Sequence, residues 1–128
     1  MDDESGVVAK RGLGERVTQL RVGIIGAGIA DRHVGGFAAR KDLFEVRVLC
    51  SLDVDRGRLL AVSHGIAEFC ESFDEVIARD DIDVVDICTP PDSHFALARR
   101  ALEAGKHVIC EKPLFGSLAS LSDRKSVV

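Results

Sequence analysis

From Leu20 onward, short apolar runs alternate with helix-length segments, and that alternation permits few folds. Leu20-Arg21-Val22-Gly23-Ile24-Ile25 reads as a buried first strand, and a helix is expected from about Ala30 to Arg40, weakened by Gly35-Gly36. Phe44 to Cys50 opens with apolar and polar residues in alternation, the pattern of a second strand. Asp53 or Asp55 can cap a helix that runs to about His64, with Gly65 as its stop. Ile66 to Cys70 is a short third strand, and Ser72-Phe73-Asp74-Glu75 fits a capping box. Val84 to Thr89 is a fourth strand, ended by Pro90-Pro91, because proline cannot continue a central ladder. A helix follows from about Asp92 to Ala104, with Phe95, Ala98 and Leu102 on one stripe and Gly105 just past its end. His107 to Cys110 is the fifth strand. The order predicts an α/β fold of three αβα layers: a doubly wound parallel sheet covered by helices on both faces.

The 128 residues are enough for one domain with a single core. Residues 1–19 are polar and without periodicity, and read as a loose leader before a domain over 20–121. Net charge is −4 and no basic stripe is visible, which argues against nucleic acid or an anionic membrane as partner. The longest apolar or glycine run, Val22 to Ala30, is too short to span a bilayer. The start Met1-Asp2-Asp3-Glu4 is acidic where a secretory signal needs positive charge, so a cytoplasmic location is expected.

Cys50, Cys70, Cys88 and Cys110 lack the spacing of a zinc site or a Cys-x-x-Cys pair. Each lies in or at the end of an apolar run, so free thiols packing as small hydrophobes are expected, and no metal site.

Gly26-Ala27-Gly28 sits between the first strand and the first helix. There the first glycine permits a tight turn and the second lets backbone approach a pyrophosphate, whose charge the helix N-terminus meets. The regular spacing puts the third small residue at Asp31, which would repel a pyrophosphate. A contraction by one residue puts it at Ala30. Gly26, Gly28, Ile29 and Ala30 are therefore expected to frame the phosphates of a nicotinamide dinucleotide. A dinucleotide site often carries an acid at the end of the second strand to hold the ribose hydroxyls. Here that place is Ser51, with Asp53 slightly later. Serine tolerates a 2′-phosphate that Arg56 or Arg58 could pair with, whereas Asp53 turned inward would select the unphosphorylated cofactor. The balance tips toward NADP over NAD.

Thr89-Pro90-Pro91 leaves the fourth strand at the same sheet edge, where a stiff turn can lie against a bound dinucleotide. Thr89, Pro90 and His94 are expected to flank it, although a histidine at a helix start can equally bond nearby backbone. His33, in the first helix, can be a packing residue. Lys112 stands just past the fifth strand, where open α/β sheets place their chemistry. It can donate to a substrate oxygen, orient the carbon next to the nicotinamide, and help move the hydroxyl proton. Glu111 can position it or sit near the nicotinamide ribose as a cofactor-binding residue, and Pro113 fixes the backbone beyond.

Val22-Gly23-Ile24-Ile25-Gly26-Ala27-Gly28, Ile87-Cys88-Thr89-Pro90-Pro91 with His94, and Ala104-Gly105-Lys106-His107-Val108-Ile109-Cys110-Glu111-Lys112-Pro113-Leu114 together resemble the glucose–fructose oxidoreductase / inositol dehydrogenase / MocA family. The resemblance covers about Leu20 to Leu121 and implies a Rossmann-type NAD(P)-binding domain, with Lys112 in the active site. It also implies hydride transfer with a sugar, polyol or related alcohol or carbonyl substrate, although some relatives use the cofactor for redox-assisted glycosidic cleavage. Family members carry a second α/β domain that supplies much of the substrate pocket and usually the oligomer interface. That domain is expected to be absent from this chain. The tail 122–128, Ser-Asp-Arg-Lys-Ser-Val-Val, reads as a translated sequencing adapter, so the chain is expected to be a fragment of a homo-oligomeric parent. A non-catalytic cofactor-binding or sensing module is the competing reading, and the fragment alone is expected to be inactive.

Overall fold

A computed structural model describes residues 9–11, 15–17 and 19–110. Two tripeptides of the expected leader, β1 (Ala9–Arg11) and β2 (Glu15–Val17), pair antiparallel, with Ala9 opposite Val17. That stretch is therefore not wholly loose. Glu111, Lys112, Pro113 and the 122–128 tail lie outside the described residues.

The main sheet consists of β3 (Leu20–Ile25), β4 (Phe44–Cys50), β5 (Glu68–Cys70), β6 (Val84–Ile87) and β7 (His107–Cys110). It is parallel throughout, in the order β5-β4-β3-β6-β7. The chain steps outward from β3 to β5, then returns to β3's other side for β6 and β7. A crevice at the strands' carboxyl ends follows from that reversal.

Helices α1 (Ala30–Ala39), α2 (Val54–Ser63), α3 (Phe73–Ile77) and α4 (His94–Glu103) supply the outer layers. Burial of both sheet faces explains why the strands carry continuous apolar runs. One cluster joins Val22, Ile24 and Leu49 to Ala30, Val34 and Phe37 of α1 and Ala61 of α2. The other joins Val48, Val85 and Ile87 to Val76 of α3 and to Ala98 and Ala101 of α4. The helix ends obey local chemistry. Asp53 accepts from Arg56 N and Ser72 from Glu75 N, and Gly65 and Gly105 end their helices at φ +70° and +84°.

Some boundaries differ from expectation. β5 begins at Glu68, because Ile66 is still tied to the preceding helix, its N–H donating to Ala61 O. A single 3-10 turn, Pro91–Ser93, precedes α4. The buried stripe of α4 runs through Phe95, Ala98 and Ala101, whereas Leu102 is 47% exposed. The small side chains of Ala98 and Ala101 let the helix lie close to the sheet, and Leu102, in its last turn, is left outside.

Ion pairs fasten the amino ends of the strands. Arg21 makes a two-pronged contact with Asp83, Nε to Oδ2 and Nη2 to Oδ1, both at 3.0 Å. Arg79 bridges Glu68 and Asp81, and Lys106 Nζ donates to the carbonyls of Arg79 and Ile82. The carboxyl ends carry no comparable lattice among the described residues and open into the cleft.

Candidate functional site

The carboxyl edge of the sheet forms a cleft of about 810 Å³, largely apolar, between the β3–α1 turn, the β4–α2 turn and the β6–α4 turn. That size suits a cofactor or small-molecule ligand.

Its centre is the glycine turn. Gly26 N–H donates to Cys50 O and Cys88 N–H to Ile25 O, both at 2.7 Å, so the turn is held to both neighbouring strands. Gly26 has φ +98°, and a Cβ there would meet Thr89 Cγ2 at 2.9 Å and Cys88 backbone at 3.0 Å. The fold itself requires glycine at that position. Gly28 differs. It is not among the glycines with positive φ, and a Cβ would meet only Cys88 O, at an ordinary 3.8 Å. Neither conformation nor packing demands glycine at 28, but close approach of a ligand to its backbone would.

Helix α1 starts directly behind this turn, and Ile29, at its N-cap, gives no side-chain cap. The first-turn amides are thus left to an anion. Asp31 does not oppose one, because its carboxylate turns outward to His64 Nε2 at 2.5 Å. Ala30 is fully buried beneath the helix start and packs against the sheet, rather than lining the cleft. A small residue there lets the start of the helix lie close to the strand. Ile29 is half-exposed and does line the cleft. The uncapped helix start and the bare backbone at Gly28 fit the pyrophosphate of a dinucleotide.

Ser51, Leu52 and Asp53 form the second wall. Ser51 is buried, and its hydroxyl is engaged within its own turn, accepting from Asp53 N at 3.1 Å and donating to Asp53 O at 3.3 Å. Asp53 is exposed, borders the cleft and caps α2 by accepting from Arg56 N. The two arginines part company. Arg56 Nη2 donates to Gly28 O at 3.4 Å, beside the glycine turn, whereas Arg58 lies over the Phe69 ring at 5.1 Å, away from the cleft.

The third wall is Thr89-Pro90-Pro91. Thr89 Oγ1 and Ser93 Oγ share a 2.6 Å hydrogen bond, and Ser93 Oγ also donates to Pro90 O at 2.8 Å. His94 is buried, and its Nε2 donates to Thr89 O at 2.6 Å. That ring braces the turn while bordering the cleft. Glu111 and Lys112 follow β7 directly in sequence but lie outside the described residues.

Sequence reasoning passed over Leu52, Glu71 and Phe73, which also border the cleft. Leu52 is 89% exposed, an apolar side chain offered to the opening. Glu71 was findable by the rule used for the other strands, since it directly follows β5. Cys50 lies in the floor, and burial together with the adjacent Cys70 thiol pushes its own thiol up to about 12.

The profile of the oxidoreductase family with an NAD-binding Rossmann fold, GFO_IDH_MocA, matches residues 20–127. The chain belongs to the glucose–fructose oxidoreductase / inositol dehydrogenase / MocA family. D-glucoside 3-dehydrogenase of Escherichia coli K12 is 38% identical over 96 residues, 73% of this chain and 27% of the relative. Levoglucosan dehydrogenase in complex with NADH superposes with a TM-score of 0.71 at 34% identity, over 76% of this chain and 28% of that one. KijD10, a 3-ketoreductase from Actinomadura kijaniata, in its open conformation in complex with TDP-benzene and NADP, superposes with a TM-score of 0.73 at 34% identity, over 85% of this chain and 34% of that one. The chain therefore spans about a third of the length of these family members, as the NAD-binding Rossmann part. Among the described residues no helix is long and apolar enough to cross a membrane.

Proposed function

We propose that this chain is the cofactor-binding part of a nicotinamide-dependent oxidoreductase acting on a sugar, polyol or related alcohol or carbonyl compound. The observation that carries this reading is Gly28, a glycine that neither its backbone conformation nor its packing requires, at the uncapped start of α1. Gly26, Gly28 and Ile29 form the pyrophosphate end of the site, with Ala30 packed beneath it, and Ser51, Asp53 and Arg56 form the adenosine-ribose end. Thr89, Pro90 and His94 flank the nicotinamide side. The bound cofactor supplies or accepts the hydride. Lys112 donates to the substrate oxygen and takes part in moving its proton, with Glu111 positioning it.

The phosphorylated cofactor is the better fit. Asp53, whose carboxylate would repel a 2′-phosphate, is occupied with capping α2, and Arg56 reaches the carbonyl of Gly28 beside the glycine turn. The substrate class rests on the relatives, among them a D-glucoside dehydrogenase and a levoglucosan dehydrogenase. Those proteins are about three times as long, and the additional sequence would complete the substrate pocket. These 128 residues alone are expected to bind cofactor and turn over negligibly, because positioning of substrate is most of such catalysis.

The sequence contains neither Trp nor Tyr, so emission from reduced nicotinamide can be followed without protein background. Titrating NADPH and NADH into the chain should give saturable emission changes, tighter for NADPH. An absence of saturation with both cofactors would refute the site.

A further inference from the structure

On the α1 side of β6, three side chains of different ligand chemistry converge. Asp86 and Cys88 are two residues apart along the strand and its extension, so both face α1. His33, the fourth residue of α1, reaches them from above. Its Nδ1 lies 2.6 Å from Asp86 Oδ2 and 3.4 Å from Cys88 Sγ, and the three ligand atoms all fall within 4.8 Å of one another. Asp86 is fully buried and Cys88 nearly so, while the His33 side chain is 15% exposed.

We propose that His33, Asp86 and Cys88 form a divalent metal site, and that zinc is the ion it suits best. Imidazole, carboxylate and thiolate together match the borderline-soft preference of zinc over magnesium or calcium. In a tetrahedral zinc site a sulfur and a nitrogen ligand stand about 3.5 Å apart. His33 Nδ1 and Cys88 Sγ already have that spacing. The nitrogen and the carboxylate oxygen would have to open to about 3.3 Å, a small swing of the His33 ring. Charge favours the ion as well, since a dication with one carboxylate and one thiolate makes a neutral cluster inside an apolar layer. On binding, the Cys88 thiol releases its proton to solvent, and His33 ligates as the neutral ring with its proton on Nε2, so that the Nδ1 lone pair, the thiolate and the carboxylate donate to the ion. A simple tether between α1 and β6 would need the histidine and the carboxylate, but not a thiol at the same nitrogen. The partly exposed edge of His33 gives the ion an entry path. Three protein ligands leave a fourth position for water or another small donor.

The test is titration of the reduced full chain with Co²⁺ as a spectroscopic stand-in for zinc. The site predicts one equivalent bound, with tetrahedral d–d bands and a thiolate-to-cobalt charge-transfer band, all displaced by Zn²⁺. Cys88→Ser should abolish the charge-transfer band, and His33→Gln should weaken binding at least about tenfold. Replacing Cys50 and Cys70 together by Ser should leave the band intact. Circular dichroism checks folding of each variant; if Cys88→Ser does not fold, His33→Gln, altered at the partly exposed edge, carries the same readout. The site is overturned by absence of the band at saturating Co²⁺. A band that survives Cys88→Ser, or vanishes with Cys50 and Cys70, overturns it equally.

Discussion

Gly26 stands against the backbone of Cys88: a Cβ at position 26 would come within 3.0 Å of the Cys88 carbonyl carbon and oxygen. Gly28, two residues on, would place its Cβ 3.8 Å from the same oxygen, without conflict. The two glycines of one turn thus answer to different demands. Gly26→Ala should destabilise the fold by about 1–3 kcal/mol, from positive φ and the clash together. Gly28→Ala should stay within about 0.5 kcal/mol of the parent yet lose cofactor affinity by about tenfold or more. Urea unfolding of both variants, beside NADPH titrations, separates the two effects.

Helix glycines provide a second contrast. A Cβ at Gly57 would meet Phe69 Cε1 at 2.4 Å and Ser51 Cβ at 3.0 Å, so α2 approaches β5 and the cleft wall only because residue 57 is bare. Gly57→Ala should cost about 1–3 kcal/mol through overpacking. Gly35 and Gly36 on α1 face open space. Changing either to Ala should raise stability by roughly 0.5–1 kcal/mol, as the helix loses a poor former. Thermal unfolding of the three single variants gives the order directly.

These contrasts show what was legible in the sequence. The order of elements, the Ser72 cap and the Gly26 turn follow from local patterns and stand where the sequence put them, and of the two α2 caps it offered, Asp53 and Asp55, the helix uses Asp53. The neighbourhood of His33 was not legible, because Asp86 and Cys88 are 53 and 55 positions away and only the β3–β6 pairing brings them under α1. Likewise, nothing local separates Arg56 from Arg58. Helix phase sends one to the glycine turn and the other to Phe69. Leu102 satisfied the apolar stripe in sequence yet lies outside it, since periodicity does not say where a helix overhangs its sheet.

Arg56 offers the sharpest handle on cofactor choice. Arg56→Ala should weaken NADPH by about tenfold and NADH much less, because only the former carries a phosphate for the guanidinium. Arg58→Ala should leave the ratio of the two affinities unchanged. Equal losses for both cofactors in Arg56→Ala would mean that the side chain serves the turn through Gly28 O and not the ribose.

Cys50 predicts an alkaline limit to stability. Burial first, and then the Cys70 thiol, raise it from an ordinary 9.0 to about 12. The folded chain therefore keeps this proton where the unfolded chain gives it up. The contribution is complete below about pH 9 and falls away as pH rises toward 12. Urea midpoints measured between about pH 8 and about pH 11 should decline in the parent, and decline less steeply in Cys50→Ala. Parallel slopes for the two proteins would contradict the assignment.

A nicotinamide dinucleotide bound as proposed lies along the carboxyl edge of the sheet, with its phosphates at the start of α1. Amide chemical-shift mapping of the ¹⁵N-labelled chain during NADPH titration tests this most directly. Saturable shifts are expected at Gly26, Gly28, Ile29, Ala30, Ser51 and Thr89, while Arg21, Asp83 and His107 at the opposite edge stay still. Shifts confined to that opposite edge, or none anywhere at saturating cofactor, would contradict it.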